Sequence, residues 1–254
     1  MATLAASRSR ARGDQCAEFD PDDQTGDTFA DAFSLSKLCS AFRRARAARN
    51  GRGRAVVIAI NDLRRLHLPY RAELLDALTA VVDSGWFVLG ERGRMFEAAF
   101  AASCGARHAL GVANGTDAIE IALRAAGVGS GDGVVTVANA GGYATTAILA
   151  CGAEPIYVDV DAGTMNIDLE LLAAALAGGP RAALITHLYG RLAPVAEARR
   201  LCDASKVVMI EDCAQAYGAC VAGRAAGTFG ALGSFSFYPT KNLGALGEDR
   251  KSVV

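Results

Sequence analysis

Six short runs of strand-forming character, at residues 109–113, 134–138, 156–160, 183–187, 207–212 and 234–238, alternate with stretches of helical spacing near 116–126, 143–151, 168–177 and 195–204. No other feature of the chain narrows its fold as much. Strands separated by helices of this length run parallel, and the helices they emit cover both faces of the sheet. The expected class is therefore α/β, with a mostly parallel sheet and helices on both faces. Ligands of such sheets sit beyond the carboxyl ends of the strands, so strand-terminal residues are where chemistry is expected. Upstream, residues 70–83 and 91–104 also carry apolar residues at helical spacing, separated by the apolar Gly85-Trp86-Phe87-Val88-Leu89-Gly90. That pattern predicts two helices joined by a buried connector, with the Trp86 ring inside.

Composition removes several classes. A chain of 254 residues with 52% hydrophobic and 21% charged residues is globular in type and long enough for one or two domains. Lys+Arg 26 against Asp+Glu 27 leaves a formal charge of -1, which provides no global drive toward nucleic acid or an anionic membrane. Seven scattered cysteines with no Cys-x-x-Cys pair argue against a disulfide framework and against a zinc ribbon. No metal is expected, and a reducing cytoplasm is the expected location. Apolar runs stop short of the ~18 residues a membrane helix needs, so no membrane partner is expected. Residues 1–56 differ from the rest: acids (Asp20, Asp22, Asp23, Asp27, Asp31) precede arginines (Arg43, Arg44, Arg46, Arg49, Arg52, Arg54). They read as a poorly ordered or mis-joined extension, since little of the segment is apolar enough to offset ordering entropy. A nucleic-acid arm is not the expected role of the arginines.

Three segments could carry chemistry. Gly111-Val112-Ala113-Asn114-Gly115-Thr116-Asp117 runs from a strand into a helix, where free N–H groups, a hydroxyl and the positive dipole end converge. That is a phosphate seat, or else an ordinary Asn or Thr cap. The glycine-rich residues 127–133 follow a helix and precede a strand, the reverse of a dinucleotide fingerprint, and read as a helix stop plus turn. Val207-Val208-Met209-Ile210-Glu211-Asp212 is a buried strand ending in two acids. Asp212 there needs a cationic partner, a metal or a cap role, while alternation turns Glu211 the other way into a structural role. Finally, Ser234, Ser236 and Tyr238 alternate with Phe235 and Phe237 before Pro239 breaks the run and leaves Lys241 in a tight turn near Gly244. Desolvation there would favour the neutral, nucleophilic amine.

Taken in order, residues 85–90, Ala113-Asn114-Gly115-Thr116-Asp117-Ala118, His187-Leu188-Tyr189-Gly190, Glu211-Asp212-Cys213-Ala214-Gln215-Ala216 and Phe235-Ser236-Phe237-Tyr238-Pro239-Thr240-Lys241 resemble the DegT/DnrJ/EryC1/StrS aminotransferases. The resemblance implies the large domain of the fold-type-I transferases dependent on pyridoxal 5'-phosphate (PLP). It implies that Lys241 binds the cofactor covalently, that Asp212 contacts the pyridine nitrogen, and that Gln215 approaches the ring hydroxyl. Gly115, Thr116 and Ser236 would hold the phosphate. The reaction implied moves an amino group from an amino-acid donor, typically L-glutamate, to a nucleotide-linked keto-sugar, in a homodimer. One branch of the family carries histidine in place of this lysine and dehydrates sugars; Lys241 favours transamination over that branch and over a non-catalytic regulatory or binding relative. An aromatic that stacks on the cofactor is expected near Gly141, which leaves Tyr143 as either its substitute or a helix-start residue.

The resemblance implies that relatives continue past this turn into another strand and a small C-terminal domain, which this chain is expected to lack. Residues 249–254 match the in-frame translation of a sequencing adapter, so the expected organisation is an extension (1–56), an incomplete PLP-binding large domain (57–248) and a non-native tail (249–254). On that expectation the sheet loses a strand, an edge opens, and the chain by itself is inactive.

Overall fold

The computed structural model describes residues 61–246 and the backbone of residues 251–253. The extension expected over 1–56, its arginine cluster, and the remainder of the tail lie outside the described residues. The chain divides into two compact units, Phe19–Pro69 and, chiefly, Tyr70–Val254. In the first, helix α1 (Leu63–His67) starts at Asp62, whose side chain accepts the Arg65 N–H.

In the second unit, α2 (Arg71–Ser84) and α3 (Glu91–Cys104) precede an alternating series. It runs β1 (Leu110–Val112), α4 (Gly115–Ala125), β2 (Gly133–Val137), α5 (Tyr143–Ala150), β3 (Glu154–Val158), α6 (Leu169–Leu176), β4 (Ala182–Thr186), α7 (Val195–Ser205) and β5 (Val208–Asp212). A small hairpin, β6 (Cys220–Val221) with β7 (Arg224–Ala225), leads to β8 (Leu232–Ser234) and β9 (Lys251–Val253). The seven-stranded sheet has the order β1-β9-β8-β5-β4-β2-β3. From β8 through β3 every pairing is parallel, and β9 is antiparallel to both its neighbours. This is the α/β architecture the alternation predicts.

Local chemistry sets the element ends. Asn114 caps α4 by accepting the Asp117 N–H, and Asp168 caps α6 by accepting those of Glu170 and Leu171. Residues 127–133 form the expected stop and turn: Gly127 takes φ +80°, and the Val128 N–H reaches back to the Leu123 carbonyl. Along the strands, period 2 divides the core into two layers. Val135, Ala183, Ile185 and Met209 pack with α6 and α7 through Leu172, Leu176, Ala198 and Cys202. Val134, Leu184 and Ile210 face α4 and α5 through Ile119, Leu123, Ala147 and Ile148. A third cluster gathers Phe100, Phe235 and Phe237, with Phe100 meeting the other two edge-on at ring separations of 5.0 and 5.1 Å.

Three expectations need correction. The 85–89 connector is exposed, not buried: Trp86 is 57% and Leu89 71% accessible, because nothing in the described chain covers it. Trp86 instead donates its ring N–H to the Val88 carbonyl at 2.8 Å, a contact within the loop. The last strand stops at Ser234 rather than running to 238, since Phe235 and Phe237 leave the ladder to enter the third cluster. The expected open edge is filled, as the backbone of residues 251–253 lies between β1 and β8.

Cys104, Cys151, Cys202 and Cys213 are buried free thiols. Burial pushes the Cys202 thiol up to about 11 and the Cys213 thiol well above its usual value, so little reactive thiolate forms near neutrality. Iodoacetamide at pH 8 is therefore expected to spare these four cysteines in the folded chain and to label all of them in denaturant; peptide mass mapping reads the difference.

Candidate active site

Beyond the carboxyl ends of β4, β5 and β8 opens a cleft of about 490 Å³, within the 300–1,000 Å³ range of small-molecule sites. Gly115, Thr116, Asp212, Gln215, Ser236 and Lys241 all line it, so the six residues singled out in the sequence meet in one place. Their origins differ. Gly115 and Thr116 begin α4 directly after the Asn114 cap, which engages the Asp117 N–H and leaves the first-turn N–H groups directed outward. Asp212 ends β5, is 4% exposed, and accepts the Ala214 N–H at 3.1 Å. Gln215 Oε1 accepts the Tyr189 N–H at 3.1 Å, an arrangement that orients the amide and presents its NH₂ as a donor. Ser236 accepts the Tyr238 N–H, and the Lys241 N–H closes a turn on the Tyr238 carbonyl at 2.8 Å. That turn depends on Gly244, where any Cβ would collide with the Pro239 backbone.

Register explains a row the sequence did not reveal. Thr186, Asp212 and Ser234 are Cα partners across β4, β5 and β8, so their side chains share the face that points into the cleft. Thr186 was not expected, since a single hydroxyl closing an apolar run carries little signal without the neighbouring strand; alternation puts Ser234 on the face of Ser236 and Tyr238 but gives it no role. Tyr143 begins α5, lines the cleft and is exposed; its ring carbons lie 3.5–3.6 Å from where a Gly141 side chain would begin. The expected aromatic position is thus vacated by glycine and bordered by Tyr143.

A second polar cluster is built from Glu211, one residue before Asp212 on β5, and His187, one residue past the end of β4, which also lines the cleft. Glu211 and His187 are fully buried, and His187 Nε2 lies 2.9 Å from Glu211 Oε2. The His187 Nδ1 accepts the Ala193 N–H at 3.1 Å, so the proton sits on Nε2 and is donated to the carboxylate. Glu211 also receives the N–H groups of Gly227, Phe229 and Gly230. Burial alone would raise this carboxyl's pKa; the His187 hydrogen bond and the Gly230 and Gly227 N–H groups outweigh it and hold the group below its usual value. The Glu211 reading as structural agrees with this arrangement. Cys213 completes the one His/Cys/acid group found close together among the described residues. Four N–H donors converging on Glu211 make that group a poor seat for a cation, which needs the same lone pairs.

No helix among the described residues is long and apolar enough to cross a membrane. The sequence profile of the DegT/DnrJ/EryC1/StrS aminotransferase family matches residues 70–249. Over 178 residues, the chain is 43% identical to the dTDP-3-amino-3,4,6-trideoxy-alpha-D-glucose transaminase of Micromonospora megalomicea subsp. nigra, covering 70% of this chain and 48% of that protein. Among solved structures, S. venezuelae DesV in complex with a ketimine intermediate superposes with a TM-score of 0.73 at 40% identity, covering 76% of this chain and 52% of that one. NtdA from Bacillus subtilis with bound cofactor PMP gives a TM-score of 0.72 at 30% identity, covering 79% and 46%. The chain spans about half the length of the relatives it matches.

Proposed function

Because the chain belongs to the DegT/DnrJ/EryC1/StrS aminotransferase family, we propose that it supplies the cofactor-binding domain of a PLP-dependent aminotransferase. The reaction proposed moves an amino group from an amino acid, with L-glutamate as the donor, to a nucleotide-linked keto-sugar. The observation that carries it is the meeting of an amine, Lys241, and a buried carboxylate, Asp212, with an outward-facing helix N-terminus in one cleft. The residues fit the cofactor chemically: the cleft has its scale, the start of α4 suits a phosphate, and Thr186 Oγ1 on the Asp212 row is a buried hydroxyl with no hydrogen-bond partner among the described residues. The relative's NtdA structure, crystallised with PMP, supports the same assignment.

Bound PLP would supply an electron sink for the pair released when the donor's Cα–H bond breaks. The chain's residues do the rest. Asp212 holds a proton on the pyridine nitrogen, and each pKa unit of that preference is worth ~1.4 kcal/mol. Lys241 moves the proton from the donor carbon. Gly115, Thr116 and Ser236 bind the phosphate, and the Gln215 NH₂ orients the ring through its hydroxyl oxygen. The test is the visible spectrum with PLP, before and after L-glutamate. A cofactor band that appears and is then lost to the aminated form supports the proposal; a chain that takes up no PLP refutes it.

We also infer a homodimer. Leu75, Leu78 and Val82 make an exposed apolar stripe on α2, continuous in sequence with the exposed 86–89 loop, and a second copy would cover both. Light scattering should report twice the chain mass, and Leu78→Lys with Val82→Lys should return it to the monomer.

A further inference from the structure

Thr186 ends β4 in register with Asp212 on β5, and the two side chains lie on the same face of the sheet, one strand spacing apart. The residue is 5% exposed, lines the cleft, and its Oγ1 has no hydrogen-bond partner among the described residues. A buried hydroxyl left unpaired is costly, so its retention calls for a partner in the working state. The acceptor that the register brings beside it is the Asp212 carboxylate, on its Cα partner in β5. A carboxylate has about four acceptor positions and takes several donors at once, the Ala214 N–H on Oδ1 among them.

We propose that Thr186 is a positioning residue for Asp212: in the cofactor-loaded chain its hydroxyl donates to the carboxylate and holds that charge against the pyridine nitrogen. Ala214 N–H and Thr186 O–H then fix the carboxylate from two directions, and Asp212 meets the ring without reorganising. The inference rests on the reading of the cleft as a PLP site.

The experiment compares the unaltered chain with Thr186→Val, which keeps the shape and drops the hydroxyl, and Thr186→Ser, which keeps the hydroxyl. PLP dissociation constants come from spectroscopic titration and apo melting temperatures from calorimetry. Thr186→Val is expected to weaken PLP binding about tenfold, the scale of one hydrogen bond to a charged group. Its apo form should melt no lower than the unaltered chain, because an unpaired buried hydroxyl has been removed. Thr186→Ser should restore most of the affinity. Equal PLP affinity in Thr186→Val and the unaltered chain would overturn the inference, as would lost affinity accompanied by a lowered apo melting temperature and no rescue by serine. If the unaltered chain binds no PLP, the proposed function fails and takes this inference with it.

Discussion

Reduction of the PLP-loaded chain with borohydride is expected to fix a pyridoxyl group on Lys241, and the same treatment of Lys241→Ala to leave the protein unlabelled. The expectation follows from the turn that carries the lysine. Its backbone N–H is tied to the Tyr238 carbonyl, and the chain folds back so closely at Gly244 that only glycine fits beside Pro239. The lysine's backbone is thereby anchored at a cleft that the ends of β4 and β5 also line. Alanine removes the nucleophile and leaves the turn and the phosphate seat in place, so noncovalent PLP uptake should persist in weakened form. Lys241→Arg is the stricter comparison, since it keeps a positive charge near the cleft yet stays protonated and cannot attack an aldehyde. It too should carry no label. Where the glutamate half-reaction is measurable, either change should slow it by ~10²–10⁴-fold, the usual contribution of a positioned proton-transfer group. Labelling of Lys241→Ala to the same extent as the unaltered chain would transfer the covalent role to another amine.

The parts of this fold that could be read in the sequence are those set by short-range periodicity. Runs such as residues 183–187 and 207–212 are continuous and apolar because β4 and β5 are buried on both faces, and the structure places strands there to within a residue or two. Asp212 stood out because a charge ending such a run is unusual. Lys241 stood out because Pro239 and Gly244 punctuate its turn. What stayed hidden depends on contacts distant in sequence. Thr186 acquires meaning only when β4 lies beside β5 in one particular register. The 85–89 connector is apolar in either case, and its composition says that something covers it without saying what. The end of β8 was misjudged because alternation continues through Phe237 after the ladder has stopped, the two phenylalanines being claimed by α3 rather than by the opposite face of the sheet. Placement of residues 251–253 between β1 and β8 is likewise a nonlocal event, with little signal in four polar residues followed by two valines.

Loss of the Glu211 side chain should destabilise the fold more than any other single change considered. In Glu211→Ala the N–H groups of Gly227, Phe229 and Gly230 and the His187 Nε2–H all lose their acceptor at once, in a region closed to water. Breaking a buried charged network of this kind costs roughly 3–5 kcal/mol, a fall in melting temperature on the order of 10 °C for a chain of this size. Glu211→Gln gives a finer measure, because the amide keeps an acceptor but turns its NH₂ toward backbone donors. The pH dependence separates charge from shape. The folded carboxyl is held below its usual value, which lies at about 4.3 when unfolded; the unfolded state therefore takes up the proton first. The stabilisation is fully present above that pH and is lost as pH falls through the lower folded value. The melting temperature of the unaltered chain should accordingly drop more steeply below pH ~4.3 than that of Glu211→Gln. Parallel acid limbs in the two proteins would mean that the buried group is held as the neutral acid, and that four hydrogen bonds do not suffice to keep a carboxylate ionised beneath this sheet.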